Sequence, residues 1–286
     1  MPCHSLKLIK LHFNGPVHFG NHRLSDGEMT FPSDRFYSAL FIESLKLNLS
    51  FKEAVEKGDF LISDLLPFNG NELFIPKPNC PNPKQLLKRT AFISLNNVGK
   101  YLNQTAFVQE EINFGRHHTT EKVKIAGAQV GTPFVVGSYH FQQDSGLYFF
   151  ARITDVGEAI LTPLLDSLSL TGIGGEKSSG YGGFSYEISE PPKMLQEIQT
   201  LILLSTALPA EKELEEALSG ARFQLIKRSG FVDSPDYATM PIRKKDIYAI
   251  QAGSTFKSPF KGGIYVVGSQ GCHPVYRFLL SFFIGG

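Results

Sequence analysis

The chain has 286 residues, of which 42% are hydrophobic, and a formal net charge of +1 at pH 7. This length accommodates two domains with cores of ordinary size, and the near-neutral charge excludes a protein that binds nucleic acid through a basic tail. Three widely spaced cysteines without a Cys-x-x-Cys pair predict reduced thiols in a cytoplasmic protein. The apolar runs are too short to cross a bilayer and the first residues lack a signal-peptide pattern, so we expect no membrane partner.

The first predicted elements are a strand and a helix. Apolar residues on both alternating sets predict a covered strand at Ser5–Phe13, which ends at Asn14-Gly15-Pro16. Residues 35–47 lack proline and glycine and predict a helix, with Ser33 or Asp34 as its N-cap.

Residues 84–132 carry weaker signals for secondary structure. Phe92, Tyr101 and Phe114 lie among basic residues, a pattern typical of surfaces that follow a nucleic-acid strand. An insertion with a solvated charged face explains the same pattern, and both interpretations stay open. The basic residues are Lys84, Lys88, Arg89, Lys100, Arg116, Lys122 and Lys124.

The next predicted elements are two strands and a second helix. Residues 139–142 and 147–153 predict a hairpin across the turn at 143–146. Asp155 and Glu158 resemble a capping box, and the apolar residues that follow it at helical spacing predict a helix. With the strand predicted at 184–188, the order is strand, helix, strand pair, helix, strand, which is the ferredoxin-like order.

Residues 172–183 read Gly-Ile-Gly-Gly-Glu-Lys-Ser-Ser-Gly-Tyr-Gly-Gly and join the second helix to the last strand. A Walker A loop needs glycine where Glu176 stands, and the dinucleotide motif needs glycine where Lys177 stands. Glycine-rich turns expose N–H groups that bind phosphate oxygens, while Lys177 adds charge and Tyr181 a stacking face. The loop therefore predicts nucleic-acid or nucleotide binding, and a turn that only allows close packing is the alternative.

A second series of elements follows the boundary predicted at Glu190-Pro191-Pro192-Lys193. It comprises a strand at 196–206, a helix at 211–218 and strands at 222–227, 246–251, 263–267 and 275–283. The predicted fold class is α+β with two ferredoxin-like (RRM-like) domains at 1–190 and 194–286, the second of them degraded.

Histidine chemistry is weakly supported by the sequence. His18 and His22 have i, i+4 spacing but lack the glutamate of a zincin helix, and His117 and His118 would point to opposite faces of a strand. We therefore predict neither a metal site nor a cofactor. A metal-independent ribonuclease using His18 stays open, because it needs only a histidine near the scissile phosphate.

Three stretches together resemble a known family: 13–20 (Phe-Asn-Gly-Pro-Val-His-Phe-Gly), 31–40 (Phe-Pro-Ser-Asp-Arg-Phe-Tyr-Ser-Ala-Leu) and 170–183. Residues 206–209, 229–231 and 253–256 match as well. The chain resembles the RAMP superfamily of CRISPR RNA-binding proteins, and within it the fourth subunit of type III-A (Csm) effector complexes of antiviral defence.

The resemblance implies a non-catalytic subunit that holds the 5′ handle of the CRISPR RNA (crRNA). It implies an inserted hairpin, or thumb, within 84–132, with target RNA near it. The implied partners are the large polymerase-like (cyclase) subunit and the backbone RAMP subunit that cleaves target RNA. The implied RNA-binding residues are Gly174, Gly175, Lys177, Ser178, Ser179, Gly180 and Tyr181 in the loop, with His18, Ser33 and Arg35 beside it.

Two alternatives remain at this point. A crRNA-processing endoribonuclease of the same superfamily would use His18, but its glycine-rich loop would lie close to the C-terminus. About a hundred residues follow the loop here, which favours the effector subunit. A protein–protein scaffold without direct RNA contact is the other alternative.

Overall fold

The structure is a computed structural model that describes residues 3–21, 23–80, 90–108, 112–124, 131–232, 240 and 242–286. Within these ranges, the α-helices are α1 (Ser33–Lys46), α2 (Phe51–Lys57), α3 (Val98–Leu102), α4 (Asp155–Thr171) and α5 (Leu214–Leu218). The strands are β1 (Ser5–Phe13), β2 (Phe19–Asn21), β3 (Arg23–Glu28), β4 (Phe60–Ile62), β5 (Leu66–Asn69), β6 (Glu72–Pro76), β7 (Phe92–Ser94), β8 (Gly115–Lys124), β9 (Thr132–Phe141), β10 (Ser145–Ile153), β11 (Phe184–Ser189), β12 (Leu201–Leu203), β13 (Leu225–Arg228), β14 (Ile247–Ile250), β15 (Thr255–Phe256), β16 (Gly262–Gly268), β17 (Val275–Leu280) and β18 (Phe283–Ile284).

The central sheet has the strand order β11-β1-β10-β5-β6-β7, with β4 paired to the end of β10. Its strand pairs are antiparallel. Helices α1 and α4 cover one face, where Ile9 and Leu11 of β1 pack with Phe36 and Leu165. The predicted mixed α+β class is confirmed. Apolar residues that alternate along the strands pack in one core against the apolar faces of the helices.

The other face of the sheet is buried as well. Leu8 of β1 and Phe150 of β10 pack there against Ile202, Phe282 and Ile284. A strand with apolar residues on both alternating sets requires cover on both sides, and the chain beyond residue 193 supplies the second cover.

In the described residues beyond 193, the chain forms three small antiparallel sheets. Their orders are β15-β12-β18, β13-β14 and β16-β17. Strands lie within or next to each range that the sequence predicts. The helix predicted at 211–218 is a 3-10 turn at Glu211–Glu213 followed by α5.

The hairpin predicted from 139–142 and 147–153 is wrong. Strand β9 pairs with β8 along its whole length, whereas β10 lies in the central sheet between β1 and β5. The turn does reverse the chain, but β10 is buried on both faces and therefore needs partners on both sides. Strand β8 falls in the insertion predicted at 84–132, whereas β9 begins at the last residue of that range and extends beyond it. Residues 84–89, 109–111 and 125–130 of the predicted insertion lie outside the described residues.

Strand β17 joins the later part of the chain to the first core. Phe278 is 1% exposed, and its ring stacks on Tyr37 of α1 with centroids 5.3 Å apart. Phe51 also packs against Phe278. The aromatic cluster therefore ties α1 to β17.

We expect Phe278→Ala to lower the free energy of unfolding by about 3–5 kcal/mol, because it removes a buried ring and leaves a cavity. The matched control is Phe231→Ala, whose ring is 61% exposed, with an expected change within about 0.5 kcal/mol. Urea unfolding followed by circular dichroism measures both. Equal losses in the two variants would contradict this assignment of the shared core.

Candidate nucleic-acid interface

The glycine-rich loop at 172–183 connects the end of α4 to β11 and packs on residues 16–18. Gly182 N–H donates to Pro16 O at 2.9 Å, and Gly175 N–H donates to His18 O at 2.9 Å. The backbone has positive φ at five positions, Gly172, Gly174, Glu176, Gly180 and Gly182. A Cβ on Gly182 would lie 2.0 Å from Ile173 O, so the base of the loop requires glycine there.

The crest of the loop is a 3-10 turn at Lys177–Ser179. Lys177, Ser178, Ser179 and Gly180 are exposed. The predicted binding residues at the crest are therefore available to a ligand, while Gly174 and Gly175 lie half-buried beneath them.

Lys122 of β8 contacts the loop from the inserted hairpin. Its Nζ lies 2.5 Å from Glu176 Oε2 and 3.0 Å from Ser179 Oγ. The same ammonium lies 5.2 Å from the centroid of the Tyr181 ring, within cation–π range. The sequence shows Lys122 among other basic residues, but no spacing pattern connects it to Glu176.

His18 contacts the loop but is buried, with 6% exposure. Its Nδ1 lies 2.6 Å from Gly137 O, and because a carbonyl oxygen only accepts, Nδ1 carries the proton. A Cβ on Gly175 would lie 2.6 Å from His18 Cδ2, so the imidazole packs directly under the loop. His18 thus supports the loop from inside, and His22 lies outside the described residues.

Ser33 is fully buried and lies at the start of α1. Asp64 Oδ1 accepts from Ser33 N at 2.7 Å and from Thr206 N at 2.8 Å, and Ser33 Oγ accepts from Thr206 N at 3.0 Å. The prediction of Ser33 or Asp34 as N-cap is wrong, since Pro32 holds that position and Asp64 satisfies the first helical N–H. Burial raises the pKa of Asp64 to about 6, although these hydrogen bonds oppose the rise.

Asp34 lies in the first turn of α1 and is fully buried. Arg228 Nε of β13 donates to Asp34 Oδ2 at 3.0 Å, and Arg277 Nη1 of β17 donates to the same oxygen. Burial raises the pKa of Asp34, but Arg228 and Arg277 outweigh it, so the net pKa is lowered. The carboxylate therefore stays ionised between two guanidinium groups.

Arg35 links this ion cluster to the strand beside the loop. Its Nη1 donates to Gly20 O at 2.5 Å, and Gly20 lies two residues after His18. Burial lowers the pKa of Arg35 to about 10, and the positive charge of Arg228 adds to the decrease. Of the residues predicted beside the loop, His18 contacts it, Arg35 reaches β2 at Gly20, and Ser33 belongs to the interior.

The arginines at 228 and 277 are absent from the predicted site. Their signal in the sequence is weak: Lys227 and Arg228 precede Ser229-Gly230-Phe231, one of the stretches that carry the family resemblance. Only the fold brings Arg277 beside them.

Two further observations concern the described residues. Within them, no group of three or more histidine, cysteine, aspartate or glutamate side chains is arranged to hold a metal ion. None of the helices described is long and apolar enough to span a membrane.

Comparison with known proteins agrees with this architecture. A family model, CRISPR Csm4 C-terminal domain, matches residues 196–285. The chain is 37% identical over 285 residues to "CRISPR system Cms protein Csm4" of Mycobacterium tuberculosis (strain CDC 1551 / Oshkosh), covering 94% of each chain. It is 34% identical to the protein of the same name from Streptococcus thermophilus, covering 87% of this chain and 88% of that one.

Solved structures share the fold. One is the Csm3-Csm4 subcomplex of the type III-A CRISPR-Cas interference complex, with a TM-score of 0.71, 17% identity and coverage of 98% and 99%. Another is the Csm1-Csm4 cassette in complex with pppApA, with a TM-score of 0.65, 18% identity and coverage of 98% and 97%.

The fold and the relatives define the class of this protein, a subunit of type III CRISPR effector complexes. Within that class, the chain belongs to the Csm4 family. The resemblance seen in the sequence is confirmed.

The glycines of the loop provide a matched pair for testing its geometry. Gly182 and Gly180 both have positive φ, but a Cβ on Gly180 meets no atom within 4 Å. We expect Gly180→Ala to cost about 1 kcal/mol of stability from backbone strain, and Gly182→Ala to cost clearly more because of the added clash. Thermal unfolding measures the difference, and equal melting temperatures would show that the loop base tolerates a Cβ.

The raised pKa of Asp64 predicts a pH dependence of stability. Since the native carboxyl binds its proton more tightly than the unfolded one, stability falls as pH rises from about 4 to about 6. In Asp64→Asn the amide oxygen still accepts from Ser33 and Thr206, and this dependence disappears. As the pH rises from 4 to 7, we expect the free energy of unfolding of the variant to increase relative to that of the natural protein. This relative increase should be at most on the order of 3 kcal/mol. Parallel stability–pH curves from urea unfolding would contradict the prediction.

Proposed function

We propose that this protein is a non-catalytic crRNA-binding subunit that holds the 5′ handle of the crRNA in a type III-A complex. The observation that carries the proposal is the glycine-rich loop, whose crest of Lys177, Ser178, Ser179 and Gly180 is exposed above a buried base. The exposed lysine and serine side chains at one crest suit phosphate oxygens, and the Tyr181 ring beside it suits a base.

The architecture supports two ferredoxin-like domains at 1–190 and 194–286. In the central sheet, the last strand of the first unit, β11, pairs with β1, and β1 pairs with β10, which in turn pairs with β4 and β5. This neighbour order and the two helices on one face fit a ferredoxin-like unit. For the second domain, the support is the order of its elements. The β8–β9 hairpin is then the thumb, near which we place target RNA.

Family membership supports the proposed partners. Related structures contain Csm4 with Csm3 and Csm4 with Csm1. We propose that this chain bridges the large polymerase-like (cyclase) subunit to the backbone RAMP subunit that cleaves target RNA. The same membership supports a cytoplasmic location.

The endoribonuclease alternative has weak support, because His18 is 6% exposed and its protonated Nδ1 faces Gly137 O. We expect the pure protein to leave a CRISPR-repeat RNA intact in the presence of EDTA. Cleavage that is lost in His18→Ala would favour the processing enzyme instead.

Charge reversal at the crest tests the RNA-binding function against the scaffold alternative. We expect Lys177→Glu to weaken binding of the host's CRISPR-repeat RNA at least tenfold, because it replaces attraction to a phosphate by repulsion. In the neutral variant Lys177→Gln, loss of one phosphate contact should lower the slope of log affinity against log salt by about 0.7. Fluorescence anisotropy at several salt concentrations measures both effects.

The matched control is Lys193→Glu, an exposed lysine outside the loop that should bind RNA within about twofold of the natural protein. If Lys177→Glu also binds unchanged, the loop is a packing turn and the scaffold interpretation replaces the proposed function.

A further inference from the structure

An ion pair between Lys122 and Glu176 closes over the glycine-rich loop. The lysine belongs to β8 of the β8–β9 hairpin and the glutamate to the loop, and the two charged groups are 2.5 Å apart. Both side chains are partly buried. Because an ion pair shielded from water is stronger than one on an open surface, this contact fixes the position of the Lys122 ammonium.

The fixed ammonium covers two groups that the loop would use to bind RNA. Lys122 Nζ donates to Ser179 Oγ at 3.0 Å and lies over one face of the Tyr181 ring, 5.2 Å from its centroid. A base can stack on that face only after the ammonium has moved, because both use the same π surface. While Glu176 holds Lys122, the loop therefore offers an RNA strand less than its full set of contacts.

The backbone at Glu176 is strained for a residue that carries a side chain. Its φ is 58°, in the left-handed region, and the other four positions of the loop with positive φ are glycine. The Glu176 carbonyl accepts from Ser179 N at 2.9 Å, so the turn uses the backbone of this residue and not its carboxylate. A glycine would form the same turn with less strain, which points to a role for the carboxylate itself.

A carboxylate and a phosphate require the same partners. Both present anionic oxygens, and both bind best to charged donors such as an ammonium group. If Lys122 contacted Glu176 and a phosphate together, two negative charges would lie within about 5 Å of each other and repel. The two anions therefore compete for one lysine.

We propose that Glu176 is an intramolecular competitor of RNA, an inference which rests on the RNA-binding function proposed above. Its carboxylate and a phosphate of the RNA take the same partner, Lys122, so the carboxylate leaves when the phosphate binds. As the ammonium turns to the phosphate, the covered face of Tyr181 opens to a base. Glu176 thereby lowers the affinity of the loop for RNA, and Lys122 adds a phosphate-binding residue from the hairpin.

The two members of the ion pair test this competition by the sign of their effects. We expect Glu176→Gln to tighten binding of CRISPR-repeat RNA by the full-length protein about threefold to fivefold, because the neutral amide competes poorly for the ammonium. Lys122→Gln should weaken binding about threefold to fivefold, since it loses the phosphate contact. A contact that only stabilised the loop would give weaker binding in both variants. Fluorescence anisotropy measures the affinities.

The matched control is Glu190→Gln, which breaks another ion pair. Glu190 pairs with Lys7 at 3.2 Å, and the Lys7 side chain is 22% exposed, against 24% for Lys122. Glu190 follows β11 at the end of that strand remote from the loop. This variant changes the net charge of the protein by the same amount as Glu176→Gln, and we expect its RNA affinity to stay within about twofold of the natural protein. Cooperative thermal unfolding of each variant establishes that it folds.

Carbodiimide cross-linking follows the contact itself. The reagent joins a carboxylate and an amine that touch, and peptide mass spectrometry identifies the amide. We expect a cross-link between Lys122 and Glu176 in the protein alone and its loss when repeat RNA with hydroxyl termini saturates the protein. The released carboxylate should then couple to added glycine ethyl ester, which distinguishes release from simple shielding by the RNA. The cross-link between Lys7 and Glu190 should be the same with and without RNA.

The outcomes separate this competition from the proposed function. If Lys177→Glu weakens RNA binding while Glu176→Gln binds no more tightly than the natural protein, the competition is overturned and the function of the loop stands. A cross-link between Lys122 and Glu176 that persists at saturating RNA overturns it as well, because the carboxylate has then not left. If neither variant changes the affinity and RNA has no effect on the cross-link, both the competition and the proposed function fail.

Discussion

One buried carboxylate holds the two halves of this protein together. Asp34 lies in the first turn of α1, where the helix N-terminus favours negative charge, and it accepts from Arg228 of β13 and Arg277 of β17. Removing it would leave two guanidinium groups uncompensated in the interior, a loss typically of about 3–5 kcal/mol. The hydrogen bonds of Asp64 to Ser33 and Thr206 lie close by and join the same parts of the chain. The position of α1 is thus set by polar contacts at its start and by the Tyr37–Phe278 stack further along.

This arrangement also explains the chemistry of the surface above it. One carboxylate serves two arginines there, and the described residues that line the cavity of about 500 Å³ beside it include no acidic side chain. The glycine-rich loop differs from this cluster, because its exposed crest carries two serine hydroxyls and one lysine rather than several guanidinium groups. The buried ion cluster and the exposed crest are thus two different polar arrangements, and residues 18–20 contact both: Arg35 donates to Gly20 O, and Gly175 N donates to His18 O.

Local patterns in the sequence predict the local elements well. The alternation in 5–13, the helical stripe after Asp155 and the glycine-rich loop all correspond to observed elements, because each signal lies within one element. The partners of the strands were harder to predict, as β9 shows: its pairing with β8 depends on an insertion with weak signals. Among the site residues, the crest of the loop could be predicted from composition, whereas Lys122, Arg228 and Arg277 reach the site only through long-range packing. Ser33 lies in a stretch that carries the family resemblance. Because the residue is fully buried, it has a structural role rather than a surface from which to contact a ligand.

The contact between Lys122 and the loop has a mechanical consequence. Glu176 and Tyr181 both contact an ammonium group that belongs to β8, so the crest and the inserted hairpin are fastened to each other. A second link runs through β9, where Gly137 O accepts from His18 under the loop, so Lys122 and His18 connect the hairpin to the crest and to the base of the loop respectively. A displacement of β8 near Lys122 therefore changes the surroundings of Glu176 and Tyr181, so the position of the hairpin and the conformation of the crest are mechanically coupled.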